Sequence, residues 1–471
     1  MIADLKPYPE YRPSSQEWLG DVPQHWPVVP NRALFGEVKD REHPDEEMLS
    51  VTITRGIVRQ KALLAGSSKK DGSNLDRSAY KLVQPRDIAY NKMRAWQGAI
   101  GASALRGIIS PAYVVVRLRK DDDLPSYFHH LYRTPQFAKE AERWSYGITS
   151  DMWSLRPEHF KMIYTPEPPP AEQGAIVRFL DWASGRLERA IRAKRKVIAL
   201  LNEQKQAIIH RAVTRGLDSS VPRKSSDSRW FPELPEKWEV LPMRRLIVAA
   251  IDGPHFSPKY HDSGIPFLSA RNLKADRWSL EDAKFISEED YREFCRRVRP
   301  EIGDVLYTKG GTTGVARAVD LEFPFQVWVH IAVLKLNHTR ITPEFLAFCL
   351  NSPRCYEQSQ LFTRGATNQD LGLGRMKDIE LPVPPSLTEQ ARIVEALEAQ
   401  SLEFTTAISR LAREIDLLRE YRTRLVADVV TGKLDVRVAA AQLPEEAAPD
   451  TAEDDTDLST DPEAAAEEAV V

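Results

Sequence analysis

The run Asn91-Lys92-Met93-Arg94-Ala95-Trp96-Gln97 sets amide, ammonium, guanidinium and indole donors side by side. It follows a strand-like stretch, Asp87 to Tyr90, so it sits where a loop leaves a sheet. Donors of this kind suit phosphate oxygens and guanine edges. Further along, the matching position reads Lys309-Gly310-Gly311-Thr312-Thr313-Gly314. Glycines there let backbone amides approach an anion closely. Both segments also fit an ordinary turn between strands. A second matched pair of polar loops is Ser145-Tyr146-Gly147-Ile148-Thr149-Ser150 and Arg364-Gly365-Ala366-Thr367-Asn368-Gln369, where contact and structural roles are both open. Arg55 and Lys69-Lys70 add candidate phosphate contacts, although solvated surface charge is the better explanation for them.

A search for catalytic chemistry assigns no catalytic residue. The glycine loop at 310–314 lacks the Lys-Ser/Thr of a nucleotide-binding loop. Pro168-Pro169-Pro170 and Pro384-Pro385 lack the residues that flank the prolines of an amino-methyltransferase motif, and neither GxSxG nor HExxH occurs. The three cysteines, Cys295, Cys349 and Cys355, have no CxxC spacing, and the histidines have no metal-ligand intervals. A reduced, cytosolic setting with no metal is expected. The start Met1-Ile2-Ala3-Asp4-Leu5-Lys6-Pro7 has no apolar core behind a basic flank, and no apolar run approaches a membrane span. The expected location is the cytoplasm.

The elements that must hold these loops are written twice. Trp18, Pro23, Trp26 and Val28 return 212 residues later as Trp230, Pro235, Trp238 and Val240. Asp87, Ile88, Tyr90 and Lys92 return as Asp304, Val305, Tyr307 and Lys309. Pro135, Gly147 and Thr149 return as Pro353, Gly365 and Thr367. Glu172-Gln173, Ile176, Leu180, Leu200-Leu201, Glu203, Thr214 and Leu217-Asp218 then return 217 residues on, without one insertion, as Glu389-Gln390, Ile393, Leu397, Leu417-Leu418, Glu420, Thr431 and Leu434-Asp435. Such an internal repeat means two copies of one module. Between the anchors the copies differ almost completely. The repeated tryptophans read as packing anchors at each module's start.

Prolines at 166–170 and 382–385 stop the preceding segment, and a helix is predicted from about Ala171 and about Thr388. One apolar seam runs through Val177, Leu180, Leu187, Ile191, Ile198, Leu201 and Ile208. The other runs through Val394, Leu397, Phe404, Ile408, Leu411, Ile415, Leu418 and Leu425. These are heptad a and d positions, and a narrow seam with charge elsewhere favours a partner helix in a coiled coil. Each helix of about 43 residues would be roughly 65 Å long. The expected partner is the other copy, antiparallel.

The fold class expected is α+β, with two mixed α/β domains separated by two long antiparallel coiled-coil helices in a pseudo-twofold repeat. Strands are expected over Met48 to Ile53, Tyr113 to Leu118, Pro266 to Ser269 and Val327 to Leu336, and short helices over Ser126 to Arg133 and Pro343 to Asn351. The chain then divides into a globular domain over residues 1–165, a helix over 166–218, a Ser-rich linker over 219–227, a second globular domain over 228–385, a second helix over 386–436 and an acidic tail over 437–471. From Val438 onward there are eleven acidic residues and no basic one, so the net charge of −3 hides a body of +8. Such a tail is expected to be disordered.

Together the Trp-x4-Pro-x2-Trp-x-Val opening, the Pro-Pro stretch before Glu-Gln and a long helix, the closing Thr-x-x-Leu-Asp and the twofold layout resemble the specificity subunit of type I restriction-modification enzymes. The resemblance covers nearly the whole chain except the tail. It implies two target recognition domains, each reading one half of a bipartite DNA site, and helices that set the half-site spacing and dock two methyltransferase subunits. Restriction and translocase subunits would join that core. The resemblance also implies no cofactor on this chain, with S-adenosylmethionine, ATP and magnesium on the partners. A self-sufficient nuclease or methyltransferase, a protein-binding scaffold without DNA affinity, and a subunit of a modification-only complex stay open.

Overall fold

The computed structural model describes residues 5–64, 77–147, 153–365 and 370–444. Chain contacts gather into two units, one of residues 1–193 and 414–471, the other of 194–413. Each is built on a four-stranded antiparallel sheet. The first has the order Phe35–Val38, Tyr113–Leu118, Ile88–Asn91, Ile100–Ala102, and the second Ile247–Asp252, Ile331–Leu336, Val305–Thr308, Ala316–Ala318. The duplicated sequence is thus a duplicated topology.

The central strands are apolar along their length because both sheet faces are covered. Side chains alternate across a strand. Ile88, Tyr90, Val114 and Val116 pack with Tyr127, Phe128, Leu131 and Tyr132 of helix Pro125–Tyr132, while Ala89 and Val115 face Leu49, Val51, Val83 and Ile109. In the second unit Val305, Tyr307, Ala332 and Leu334 pack with Phe345, Leu346, Cys349 and Leu350 of helix Pro343–Leu350. Leu306, Ile331 and Val333 face Leu268, Val298, Val319 and Val327. Proline at the first helical position, with the Thr342 hydroxyl accepting from Phe345 N at 3.3 Å, starts that helix.

Most expected elements form within a residue or two, and three readings need correction. The strand expected over Val327 to Leu336 is two strands. Gln326–Val327 pairs in parallel with Phe267 and Leu268, and Ile331–Leu336 joins the main sheet, so residues 328–330 carry the chain from one sheet to the other. The Ser-rich linker contains Arg223–Ser225, which pairs with Glu233–Pro235 as Tyr11–Pro13 pairs with Asp21–Pro23 in the first unit. All three linker residues are exposed, so backbone pairing alone forms this strand and no apolar pattern marks it. The tail does not begin at 437. Arg437–Ala441 is a helix, and Ala439, Ala440 and Leu443 are buried in the first unit, because alanines that read as low complexity fit a close helical contact. The acidic residues from 445 lie outside the described residues.

The long helices are Pro170–Arg215 and Leu387–Val430. In the first unit Ile176, Phe179, Leu180 and Ala183 share a core with Leu425, Val429 and Val430, and Arg422 Nη1 donates to Glu188 Oε2 at 3.0 Å. In the second, Ile209, Ala212 and Val213 share a core with Ile393, Val394 and Leu397, and Lys205 Nζ donates to Thr405 Oγ1 at 3.1 Å. Within either unit one helical stretch rises in number as its partner falls. Leu180, Leu187, Ile191, Val394, Leu397, Ile415 and Leu425 are buried. Val177, Ile198, Leu201, Ile208, Phe404, Ile408, Leu411 and Leu418 are half-buried, as a seam covered by a single partner helix leaves them.

The repeated tryptophans lock each sheet domain to the start of a long helix. Trp26 and Trp238 are fully buried, and their indole N–H groups donate to Glu172 Oε1 (3.1 Å) and Glu389 Oε1 (2.9 Å). Gln173 and Gln390, next in sequence, accept from the backbone N–H of Leu124 (2.8 Å) and Thr342 (2.9 Å). Trp18 sets its edge against Phe137 at 5.6 Å, and Trp230 packs on the second core. After the second long helix, Gly432 takes φ +78°, and a Cβ there would stand 2.4 Å from Pro23 Cδ. Only glycine meets both conditions.

Candidate nucleic-acid interface

The sheet topology brings both loop pairs together, and it does so identically in the two units. Leu155 N donates to Lys92 O (2.8 Å), and Leu371 N donates to Lys309 O (2.7 Å). In each case the segment leaving the central strand is tied to the polar loop that sequence matched separately. The loop bases close by a short antiparallel bridge, Tyr146 with Ser154 and Arg364 with Asp370. Thr149, Thr367 and Asn368 lie outside the described residues, as do Lys69 and Lys70.

In the first unit the turn after Ile88–Asn91 is internally bonded. Asn91 Oδ1 accepts from Met93 N (3.0 Å), Trp96 Nε1 donates to Met93 O (2.9 Å), and Arg94 Nη1 donates to Gln97 Oε1 (3.1 Å). Asn91 therefore shapes the turn. Trp96 stands edge-on to Trp153 at 5.5 Å and joins the two loops. Lys92, Tyr146, Gly147, Ser154, Arg156, Pro157 and Glu158 line an open groove of about 600 Å³. Tyr146 is 58% exposed, with its ring 4.9 Å from His159. Arg55, on the neighbouring hairpin, is half-buried.

Sequence reasoning missed the charge beside this groove. Lys39 and Arg41 are exposed, and Leu82 N donates to Asp40 O (2.9 Å), which ties their loop to the strand carrying Lys81. Burial lowers the Lys81 pKa, and Lys92, Arg41 and Lys39 lower it further, so these cations share one region. Its amine donates to Tyr113 O. The residues come from separate elements, so no local run announced them.

The second unit uses the same frame differently. Lys309 is not a surface donor. Its side chain is 8% exposed, with Nζ 2.9 Å from Asp370 Oδ1 and 3.4 Å from Asp252 Oδ2. It pins the polar loop's base to the sheet, because a buried ammonium must be paired. Burial raises the Asp252 pKa, but Arg297 and Lys309 outweigh it and hold the carboxylate below its usual value. Thr313 is buried as well, and its carbonyl accepts from Gln360 Nε2 (3.1 Å). A Cβ on Gly310 would stand 2.3 Å from His330 Nδ1, whereas Gly311, at φ +72°, faces open space. Thr312, Arg364 and Gly365 are exposed, so all three remain available for contact.

A further repeated device supports both turns. Asp87 and Asp304 are buried, accept from Gln84 N (2.9 Å) and Glu301 N (2.8 Å), and pair with Arg117 and Lys335 on the adjacent strand. Among the described residues no group of three or more His, Cys, Asp or Glu could hold a metal, and the three cysteines are free thiols. No helix among the described residues is long and apolar enough to cross a membrane.

Residues 235–415 match the family described as the type I restriction modification DNA specificity domain. The chain is 19% identical over 403 residues to the type I restriction enzyme EcoKI specificity subunit of Escherichia coli (strain K12), spanning 80% of this chain and 82% of that one. A solved chain from work on complex assembly and conformational transition of the type I restriction-modification system has a similar fold. It has a TM-score of 0.59 and 17% identity, covering 88% of this chain and 99% of that chain. The HsdS subunit of Thermoanaerobacter tengcongensis is 16% identical, with a TM-score of 0.44 over 90% of this chain and all of that one. Residues 235–415 therefore carry the type I restriction modification DNA specificity domain, and over four-fifths of its length the chain is similar to a specificity subunit of a type I restriction enzyme.

Proposed function

We propose that each sheet domain of this chain reads one half of a bipartite, asymmetric DNA site. The long helices form an antiparallel coiled coil that sets the half-site spacing and docks two methyltransferase subunits. One observation carries the reading. The same pair of loops is joined by the same backbone hydrogen bond, Leu155 to Lys92 and Leu371 to Lys309, yet the side chains on the two frames differ. One frame with two surfaces is what two unrelated half-sites require. The contacts of Glu188 with Arg422 and of Lys205 with Thr405, and the unbroken 217-residue offset of the helices, support the coiled coil and its role as a ruler.

The methyl donor S-adenosylmethionine belongs on the methyltransferase subunits, and ATP with magnesium on the restriction and translocase subunits, all in the cytoplasm. Methylome sequencing of a host carrying this chain and its methyltransferase partner tests the proposal. One modified bipartite motif is expected. Methylation at a single continuous motif, or at none, would overturn it.

A further inference from the structure

In the second unit the loop following Ile247–Asp252 carries Pro254-His255-Phe256-Ser257-Pro258-Lys259-Tyr260-His261. Phe256 is 59% exposed and Tyr260 41% exposed. Large apolar side chains left in water beside a cation suggest a partner that offers both flat apolar faces and negative charge. The loop is not loose at its root. A Cβ on Gly253 would stand 1.9 Å from Val327 O, so the backbone is pressed onto the neighbouring strand. His255 Nε2 lies 3.4 Å from the Asp252 carboxylate that Lys309 and Arg297 also engage. The aromatic loop therefore adjoins the turn at 309–314. Pro254 and Pro258 restrict the backbone on either side of Phe256. The Phe256 ring rests on Phe294 (5.5 Å) and the Tyr260 ring on Phe267 (6.3 Å), which hold the side chains in place while leaving much of their surface open. Lys259 is exposed, with no ion pair among the described residues.

The same place in the first unit, after Phe35–Val38, carries the exposed Lys39 and Arg41 and no aromatic residue. Both modules thus present a basic loop at one point of the frame, and only the second adds rings.

We infer that Phe256 and Tyr260, with Lys259, form an aromatic contact between the second domain and the bases of its DNA half-site. The inference rests on the proposed half-site reading. Lys259 engages a phosphate, while the rings meet base faces or thymine methyl groups, contacts open to apolar side chains that enter a groove. The loop then contributes to base choice on this half alone.

The test uses the full chain assembled with its methyltransferase subunits, titrated against a labelled duplex bearing the motif found for the unaltered protein. Phe256→Ala with Tyr260→Ala should weaken binding to that duplex by roughly 10- to 100-fold, as loss of aromatic–base contact does. Binding to random duplex should change by less than about threefold, and the methylome should show relaxed bases in one half-site only. Ile302→Ala, at another exposed apolar position, should leave all three readings unchanged. Should the double variant melt early, Lys259→Ala, at an exposed position of the same loop, should still weaken binding and lower its salt slope by about one, and an unchanged slope would overturn the inference. Wild-type binding and an unaltered motif in a variant of normal melting temperature would overturn the inference. So would an equal loss on random duplex. A bipartite motif for the unaltered protein in the same experiment keeps the half-site reading separate from this result.

Discussion

Replacing Lys309 by methionine separates the structural account of this lysine from the contact that sequence suggested. Its ammonium lies between Asp370 and Asp252, with 8% of the lysine side chain and 4% of the Asp252 side chain exposed. Removing one partner of a buried ion pair costs about 3–5 kcal/mol. Asp252 keeps Arg297, so the lower figure, about 3 kcal/mol, applies. At roughly 2–4 °C per kcal/mol for a unit of this size, the second unit should melt about 6–12 °C lower by calorimetry. Arg364→Ala is the counterpart. That side chain is exposed, so the change should stay within about 0.5 kcal/mol in stability. It should weaken DNA binding and lower the salt slope by about one. A Lys309→Met variant that melts with the wild type yet loses one unit of salt slope would refute the reasoning, because Lys309 would then be the phosphate contact.

Inserting one heptad into each long helix at facing positions preserves the seam and adds roughly 10 Å, about three base pairs. The methylated motif should widen its gap by that amount, and an unchanged gap would show that the helices do not set it. His129 is half-buried, with Nδ1 accepting from Ala102 N (3.2 Å), and desolvation, with Arg133 and His130 beside it, lowers its pKa to about 3. A histidine kept neutral when folded stabilises fully above its unfolded value near 6.5. First-unit stability should therefore fall by about 1.4 kcal/mol per pH unit as pH drops from about 6.5 toward 3. Denaturation of His129→Gln should lose that slope, and an equal slope in the variant would exclude His129 as its source. Gly432→Ala should destabilise by more than Gly311→Ala in thermal melts. Both have positive φ, but only the first drives a Cβ into Pro23. Trp238→Phe should cost about 1–3 kcal/mol by leaving the Glu389 carboxylate without its donor, and a neutral result would remove the Trp–Glu pair from the joint.

Sequence alone determined the duplication, the helix pair and the strands buried on both faces, because those features rest on local periodicity. Leu180 and Leu397, or Val114 to Val116, must be covered whatever covers them. The twin tryptophans were legible as anchors, although their carboxylate partners, 146 and 151 residues away, were not. Only tertiary structure decided which polar residues face solvent. Lys92 and Lys309 stand at matched positions, yet one lines an open groove and the other is buried, because the first sheet strand runs on into Lys39 in one copy and ends in Asp252 in the other. Whether a buried charge is tolerated depends on a partner distant in the chain, and no local pattern carries that information. The edge strand at 223–225 and the aromatic loop at 254–261 went unread for a related reason. Backbone pairing and a prolyl loop pressed onto a neighbouring strand are properties of position in space, which the order of residues specifies only through the whole fold.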